Sequence, residues 1–497
     1  MSQSPPSSLV STPTAASAAL AQGAPIDASL KVPVLVLLAF ALLHLLCASA
    51  LGLIAAIQLH TPNFFGGCEY CTFGRVYPAA LNLLAYGWGV NTGLAVALWL
   101  TARLARGTVP QGGLLVVAVL FWNVGVKLGV LGILAGDSTG YPWLELPRYV
   151  APFLLVAYTL IAAWVAAVLR RGSSRELYAS QWYVLASLFW FPWLYSAAQL
   201  MLVFAPVRGT VQAVVAAWFA HGFLGLWFAS LGLAMVYYFL PKVLGRPIRG
   251  YYLASFAFWL FALFTAWAGP ARLAGAPVPA WTQTAGRAAS FMLLVPLAVL
   301  VVNFFGTLAG RWDALRHSIV LRFTAVAAVV FTLWVLRGVV GALPGMTELT
   351  GLTWFPTASD YAVVYGVFSM AAFGAIYYLA PRLLRRAWPS AVLIKAHFWF
   401  ATLGLVLGIA SLSLGGVFVQ GRGLADPNVH LADINTGLLT WLHAATFAGI
   451  LLTLGHLALT LNFFKLVLCP RHRAASAAAP VPAVLLRPAP ELQAPAR

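Results

Sequence analysis

Residues 210–240 read TVQAVVAAWFAHGFLGLWFASLGLAMVYYFL and contain no Lys, Arg, Asp or Glu. A helix of about 20 such residues crosses the ~30 Å hydrocarbon core of a bilayer. Comparable apolar runs recur from Val32 to Lys465, and only 8% of the chain is charged, whereas a soluble domain carries roughly 25% charged residues. Bilayer lipid must therefore be the solvent of most of this chain.

The apolar runs are continuous rather than alternating, which excludes a transmembrane β-barrel. Backbone amides in lipid must be satisfied within their own segment, so the runs form helices. The sequence predicts an all-α polytopic membrane protein of about twelve transmembrane helices. We predict the spans at residues 32–59, 78–101, 111–135, 148–169, 180–205, 210–240, 252–270, 284–309, 320–343, 358–380, 391–418 and 437–465.

Basic residues account for a net charge of +18 and are concentrated in alternate short loops. One set of loops carries Arg103, Arg106, Arg170, Arg171, Arg175, Lys242, Arg246, Arg249, Arg311, Arg316, Arg382, Arg385, Arg386 and Lys395. The positive-inside rule then predicts that both termini are cytoplasmic, in an integral protein of a bacterial inner membrane. No basic domain or nucleic-acid motif is present, so nucleic acid is not an expected partner.

The two ends of the chain differ in composition from its centre. Residues 1–30 are rich in Ser, Pro and Ala and lack the basic start and cleavage site of a signal peptide. We predict a disordered cytoplasmic tail at 1–30, a twelve-helix transmembrane domain at 31–466 and a cytoplasmic tail at 467–497.

Ionisable residues inside the spans are functional candidates, because burying them in lipid is costly. They are His44, Lys127, His221, Arg337, Asp360, His443 and His456. No Glu lies well inside a predicted span, unlike in many proton pumps. A lone helical His is more often a hydrogen-bonded interior residue than a ligand. His443 and His456 are about 20 Å apart on one helix and cannot bind one iron together.

Cys68 and Cys71 form a Cys-Glu-Tyr-Cys motif in the first predicted outer loop. No His follows, so the motif does not attach a c-type haem. Thiols can oxidise in an outer loop, and a local disulfide is our leading interpretation, with two free thiols as the alternative. A zinc site needs two more ligands than these cysteines, and His60 alone does not supply them.

Several longer strings are more specific than hydropathy. They are QWYVLASLFWFPWLYSAAQ at 181–199, the run from 211 to LPK at 240–242, WAGP at 267–270, FGAIYYLAPRL at 373–383 and KAHFWFATLG at 395–404. With them, residues 30–465 resemble the catalytic subunit (subunit I) of cbb-type cytochrome c oxidases in the haem-copper oxidase superfamily. The resemblance implies the subunit I fold.

The resemblance also implies a low-spin haem held by two His, a high-spin haem held by one His, and a copper ion held by three His, one cross-linked to a Tyr. Only the first copper ligand is present, as His221. The other positions are degenerate: they fall on Ala80, Thr265, Ala271, Arg272, Ser359 and Tyr361. We therefore predict that no haem and no metal is bound, since one imidazole cannot hold copper firmly and haem iron needs its axial ligands.

Charged residues stand at or near the lost ligand positions. Arg272 is one of them, Arg337 replaces a family Glu, and Asp360 lies between Ser359 and Tyr361. A close-packed interior does not keep a void, so we predict collapse and an ion pair of Asp360 with Arg272 or Arg337 near His221. In the alternative, both arginines reach outward to the interface and Asp360 faces water.

Three functions follow from these observations. The first is a cofactor-free pseudo-oxidase with a structural, assembly or regulatory role in a respiratory complex, whose partners are the lipid bilayer and other subunits or a c-type cytochrome. The second is a terminal oxidase that binds haem b through unorthodox ligands such as His44, His443 or His456. The third is a channel or carrier that uses the emptied cavity, where Lys127, Arg272 and Arg337 favour an anion.

Overall fold

A computed structural model describes residues 15–174, 176–273 and 275–469, with side chains from residue 24 onward. Within these residues, twelve helices are long and apolar enough to cross a membrane. They are α1 Ala24–Gln58, α2 Phe73–Ala105, α3 Gly112–Ala135, α4 Ala151–Arg171, α5 Ala179–Phe204, α6 Thr210–Leu244, α7 Tyr251–Leu273, α8 Ala280–Leu308, α9 Ile319–Gly341, α10 Trp354–Leu384, α11 Ala391–Ala425 and α12 Leu431–Leu468. The predicted all-α fold and span number are confirmed.

Three helices form the centre of the bundle. α2, α6 and α10 are almost completely buried, whereas the nine surrounding spans expose apolar side chains on one face. Each central helix changes from α to π geometry along its length, at Leu83–Val90, Phe223–Ala229 and Ala362–Ser369. These π-helical segments pack against one another. Such segments are rare and occur mostly at functional sites.

Glycines allow this close packing. A Cβ atom on Gly89 would lie 2.6 Å from Phe228 Cε1, and one on Gly366 would lie 2.4 Å from Val330 Cγ1. Both distances are far below van der Waals contact, so only Gly fits where the central helices meet their neighbours. Beyond the π segments, the rings of Trp99, Phe239 and Tyr378 form a closed aromatic core with centroids 5.3–6.5 Å apart.

The structure moves one predicted boundary. The first helix begins at Ala15, so residues 24–30, assigned to a disordered tail, are helical. Ile26 and Leu30 are buried, and Asp27 lies 3.5 Å from Arg103 Nη1 and 3.0 Å from Arg382 Nε. These contacts order the segment. Of the tails predicted at 1–30 and 467–497, residues 1–14 and 470–497 lie outside the described residues, and the last helix reaches Leu468.

Candidate functional site

His221 lies in α6, immediately before the π-helical segment. It is 9% exposed, and neither ring nitrogen has a hydrogen-bond partner. Its ring stacks on Trp334 of α9 at a centroid distance of 6.3 Å. A Cβ on Gly269 of α7 would lie 3.1 Å from His221 Cβ, so the two helices are in close contact here. Packing, rather than a polar partner, holds the imidazole.

An ion pair lies beside this histidine. A short 3₁₀ turn, Gly269–Leu273, ends α7 and carries Arg272. Arg272 Nη2 is 2.7 Å from Asp360 Oδ1, with the two side chains 30% and 19% exposed. A charge-assisted hydrogen bond of this length is among the stronger polar contacts in proteins. It joins the end of α7 to the first turns of α10.

Arg337 has different partners. Its Nη1 donates to Ser413 Oγ at 2.7 Å, its Nη2 donates to the Phe355 carbonyl, and its guanidinium carbon lies 3.5 Å from the centroid of the Phe355 ring. Arg337 Nε is buried without a partner. In the described part of the chain no carboxylate lies within 4 Å of this guanidinium. Asp360 therefore pairs with Arg272, and Arg337 has no carboxylate of the described residues in direct contact.

A cavity of about 110 Å³ separates these groups. His221, Arg272, Arg337 and Ser359 line it, with Thr347 of the short helix Pro344–Thr350 at its edge. Sites for drug-sized ligands occupy roughly 300–1,000 Å³, so this cavity does not accommodate a porphyrin. It has room for a few water molecules, at about 30 Å³ each, or a small anion.

The other positions that the resemblance predicts for ligands are occupied by packed side chains. A Cβ on Gly225 would lie only 2.2 Å from the Thr265 methyl carbon, so this methyl group fills the space beside the glycine. Tyr361 rests on Gly408 of α11, where a Cβ would be 3.0 Å from the ring, and packs on Tyr365 at 4.6 Å. Ala80 and Ala271 are both buried.

These residues do not fit the cofactors that the resemblance implies. Ala80 and Ala271 have no donor atom, and Arg272 is engaged by Asp360. Among residues 15–174, 176–273 and 275–469, no three His, Cys, Asp or Glu side chains converge as metal ligands would. His221 thus stands without the additional donors that copper requires.

The histidines considered as unorthodox ligands lie apart from this site. His44 is buried in α1 without a partner for either ring nitrogen. His443 stacks on His60 with centroids 4.1 Å apart. His456 Nδ1 lies 2.8 Å from Ser49 Oγ.

Two buried polar residues were missed by sequence reasoning. His397 is fully buried, with Nδ1 2.9 Å from Tyr377 Oη, and it contacts the Phe373 ring that also contacts His456. In the sequence, only its place in the string KAHFWFATLG, which carries the family resemblance, indicated that His397 could matter. Glu145 lies in the loop between α3 and α4, where Asn82 Nδ2 donates to its Oε2 at 2.8 Å. Burial raises the pKa of Glu145 to about 7.

The predicted cysteine pair lies in the loop between α1 and α2. The 3₁₀ turn Glu69–Cys71 brings Cys68 Sγ within 2.7 Å of Cys71 Sγ. In the reduced form, the contact between the two thiols lowers the pKa of Cys68 and raises that of Cys71. A disulfide between them stays a prediction.

Comparison with known proteins places this bundle in a family. The family model described as cytochrome c and quinol oxidase polypeptide I matches residues 32–451. The chain belongs to this family. The match confirms the resemblance to subunit I of haem-copper oxidases.

Relatives from bacteria give the family finer detail. A cytochrome c oxidase subunit 1 homolog of Azorhizobium caulinodans is 29% identical over 74% of this chain and 68% of its own length. The cbb3-type cytochrome c oxidase subunit CcoN1 of Stutzerimonas stutzeri is 26% identical over 74% of this chain and 79% of its own. A heme-copper terminal oxidase dimer solved by cryo-EM shares the fold with a TM-score of 0.71 at 14% identity, covering 92% of this chain and 88% of that one.

Proposed function

We propose that this protein is a cofactor-free member of its family, a pseudo-oxidase with a structural, assembly or regulatory role in a bacterial respiratory complex. The observation that carries the proposal is the Arg272–Asp360 ion pair, 2.7 Å long, because the resemblance predicts a copper ligand at the position of Arg272. A guanidinium there repels a metal cation, and its carboxylate partner is already engaged.

The packing around the pair supports the same role. Thr265 and Tyr361 fill space against glycines of neighbouring helices, and the remaining cavity of about 110 Å³ is too small for a porphyrin. The twelve-helix bundle is nevertheless intact, so the surfaces of a subunit I are available to other subunits. A cytochrome c oxidase complex or a c-type cytochrome is the partner that the family favours.

Genetic complementation tests this role. In a strain lacking the chain, the amount of intact respiratory complex on a native gel is expected to fall. His221→Ala should restore that amount as well as the wild type does, because a scaffold does not need the last ligand position. If the His221→Ala chain accumulates normally and yet fails to restore the complex, His221 has a chemical role and the pseudo-oxidase proposal is wrong.

The charge of the cavity favours one second function, the binding or passage of a small anion. Arg272 and Arg337 line the cavity, and among the described residues only Asp360 pairs with either of them, which leaves one positive charge in excess. Chloride flux into liposomes containing the purified chain tests this function. Wild-type flux that Arg337→Met abolishes would support it, and flux no higher than in empty liposomes would exclude it for chloride.

A further inference from the structure

Lys127 is an exposed lysine on the outer surface of the bundle. It lies in α3, where it is exposed together with the apolar residues Val124, Leu128 and Leu131. Lipid surrounds such a surface. Ionisable residues within membrane helices almost always face the bundle interior or a water-filled cavity, so this lysine departs from the usual placement.

The ammonium group lies near the middle of the bilayer. Lys127 is about 12 Å from the Ala135 end of α3 and about 22 Å from the Gly112 end, at 1.5 Å per residue. Its Nζ is 5.0 Å from the ring centroid of Phe40, which lies midway along α1. Helical side chains slant toward the helix N-terminus, so Lys127 slants away from its nearer end and toward the bilayer centre.

Among the described residues, no carboxylate forms an ion pair with the Lys127 ammonium group. Phe40 attracts the ammonium through its ring but carries no charge. The His44 imidazole packs on the same ring, with the two ring centroids 6.2 Å apart. The ion pairs of the described residues do not include Lys127. A cation at mid-depth without an anion is costly, so the missing anion is expected from outside the chain.

We infer that the face of α3 around Val124, Lys127 and Leu131, together with Phe40, binds a transmembrane helix of a different subunit that carries one Asp or Glu at mid-depth. A lipid headgroup does not reach this depth, since half of the hydrocarbon core is about 15 Å thick.

A second copy of the chain cannot provide the carboxylate. The carboxylates within the described spans are Asp27, Asp360 and Asp433, and all three lie within the first two turns of their membrane spans. Asp27 and Asp360 are also engaged by arginines. The partner must therefore be another polypeptide. This inference rests on the proposed function as a subunit of a complex and names the chemistry of the partner.

Model peptides test the docking face directly. The purified full-length chain is reconstituted in vesicles with a dansyl-labelled, Leu-rich transmembrane peptide that carries one central Glu or, as its match, a central Leu. Energy transfer from the tryptophans of the chain to the dansyl group reports association. We expect the Glu peptide to bind about 5- to 30-fold more tightly than the Leu peptide, as for polar contacts between model membrane helices.

Variants separate docking from folding. Lys127→Leu should abolish the preference for the Glu peptide, whereas Lys395→Leu, which removes an exposed lysine near the start of α11, should keep it. Lys127→Glu should instead prefer a peptide with a central Lys, which shows that the variant is folded.

Three results would overturn the inference. They are equal binding of the Glu and Leu peptides to the wild type, a preference that survives in Lys127→Leu, and Lys127-dependent association of two copies of the chain. The vesicles contain no other subunit and the readout is independent of haem. Each of these results would therefore contradict the docking inference without deciding the proposed function, which the complementation experiment tests.

Discussion

The three central helices are built alike, yet the two sides of their π-helical segments differ. After the π segments, Trp99, Phe239 and Tyr378 form an aromatic core in which every ring is buried. Before them lie the predicted ligand positions, a histidine with two unpartnered nitrogens and a cavity of about 110 Å³. The first region is closely packed, and the second keeps a polar cavity beside its packed side chains.

The difference indicates which part of the chain the fold depends on. FGAIYYLAPRL at 373–383, one of the strings that reveal the family, lies in the aromatic region, whereas WAGP at 267–270 precedes Ala271 in the other region. Ala80, Ser359 and Tyr361, which we predict as replaced ligand positions, also lie in that other region. Packing free energy comes mainly from closely packed apolar contacts. The ligand region can therefore change its chemistry while the bundle persists.

The largest expected effect breaks the aromatic core. Trp99→Ala should lower the free energy of unfolding by about 3–5 kcal/mol, because it removes a fully buried ring and leaves a cavity. Unfolding in detergent, followed by circular dichroism, measures the change. Trp259→Ala is the matched control, since Trp259 is 69% exposed, and should have little effect. Equal losses in both variants would contradict the assignment of stability to the core.

A second prediction concerns pH and Glu145. Its pKa is raised from the usual 4.5 to about 7 in the folded state, so the folded chain binds more protons than the unfolded chain between these values. Stability should be greatest below pH 4.5 and fall by about 3 kcal/mol as pH rises to 7. Melting temperatures across this range should show the fall.

Glu145→Gln should remove this decline, because the amide stays neutral while its carbonyl still accepts from Asn82. Glu176→Gln, at an exposed loop position, should leave the decline unchanged. If the stability of Glu145→Gln depends on pH as that of the wild type does, another group causes the dependence.

Double-mutant cycles test which arginine pairs with Asp360. Arg272→Met and Asp360→Asn should show a coupling energy of about 1–2 kcal/mol, modest because both side chains are partly exposed. The cycle of Arg337→Met with Asp360→Asn should give a coupling near zero. Comparable coupling in the two cycles would mean that Asp360 is shared between both arginines.

The smallest effect is expected at His221. His221→Ala should change the free energy of unfolding by less than about 1 kcal/mol, because loss of the Trp334 contact is offset by removal of a buried, unpartnered polar group. His456→Ala should cost more, since it leaves Ser49 without its imidazole partner. A larger loss at His221 than at His456 would indicate a contact that the structure lacks.

Much of the fold was predictable from sequence because apolar runs and loop charges act locally. The helical structure of residues 24–30 was not predictable in this way, because it depends on contacts of Asp27 with Arg103 and Arg382, which lie in distant spans. The choice between Arg272 and Arg337 as the partner of Asp360 depends on how helices rotate about their axes, which local sequence does not encode. Glu145 was missed because its burial arises from tertiary packing of a loop outside any apolar run.

The central claim is that the family fold persists in this chain without redox centres. The most direct measurement is the absorption spectrum and copper content of the purified full-length chain, with a haem-containing oxidase expressed and purified under identical conditions as the positive control. We predict no stoichiometric Soret band and no stoichiometric copper for this chain. A Soret band corresponding to one haem or more per chain would contradict the account.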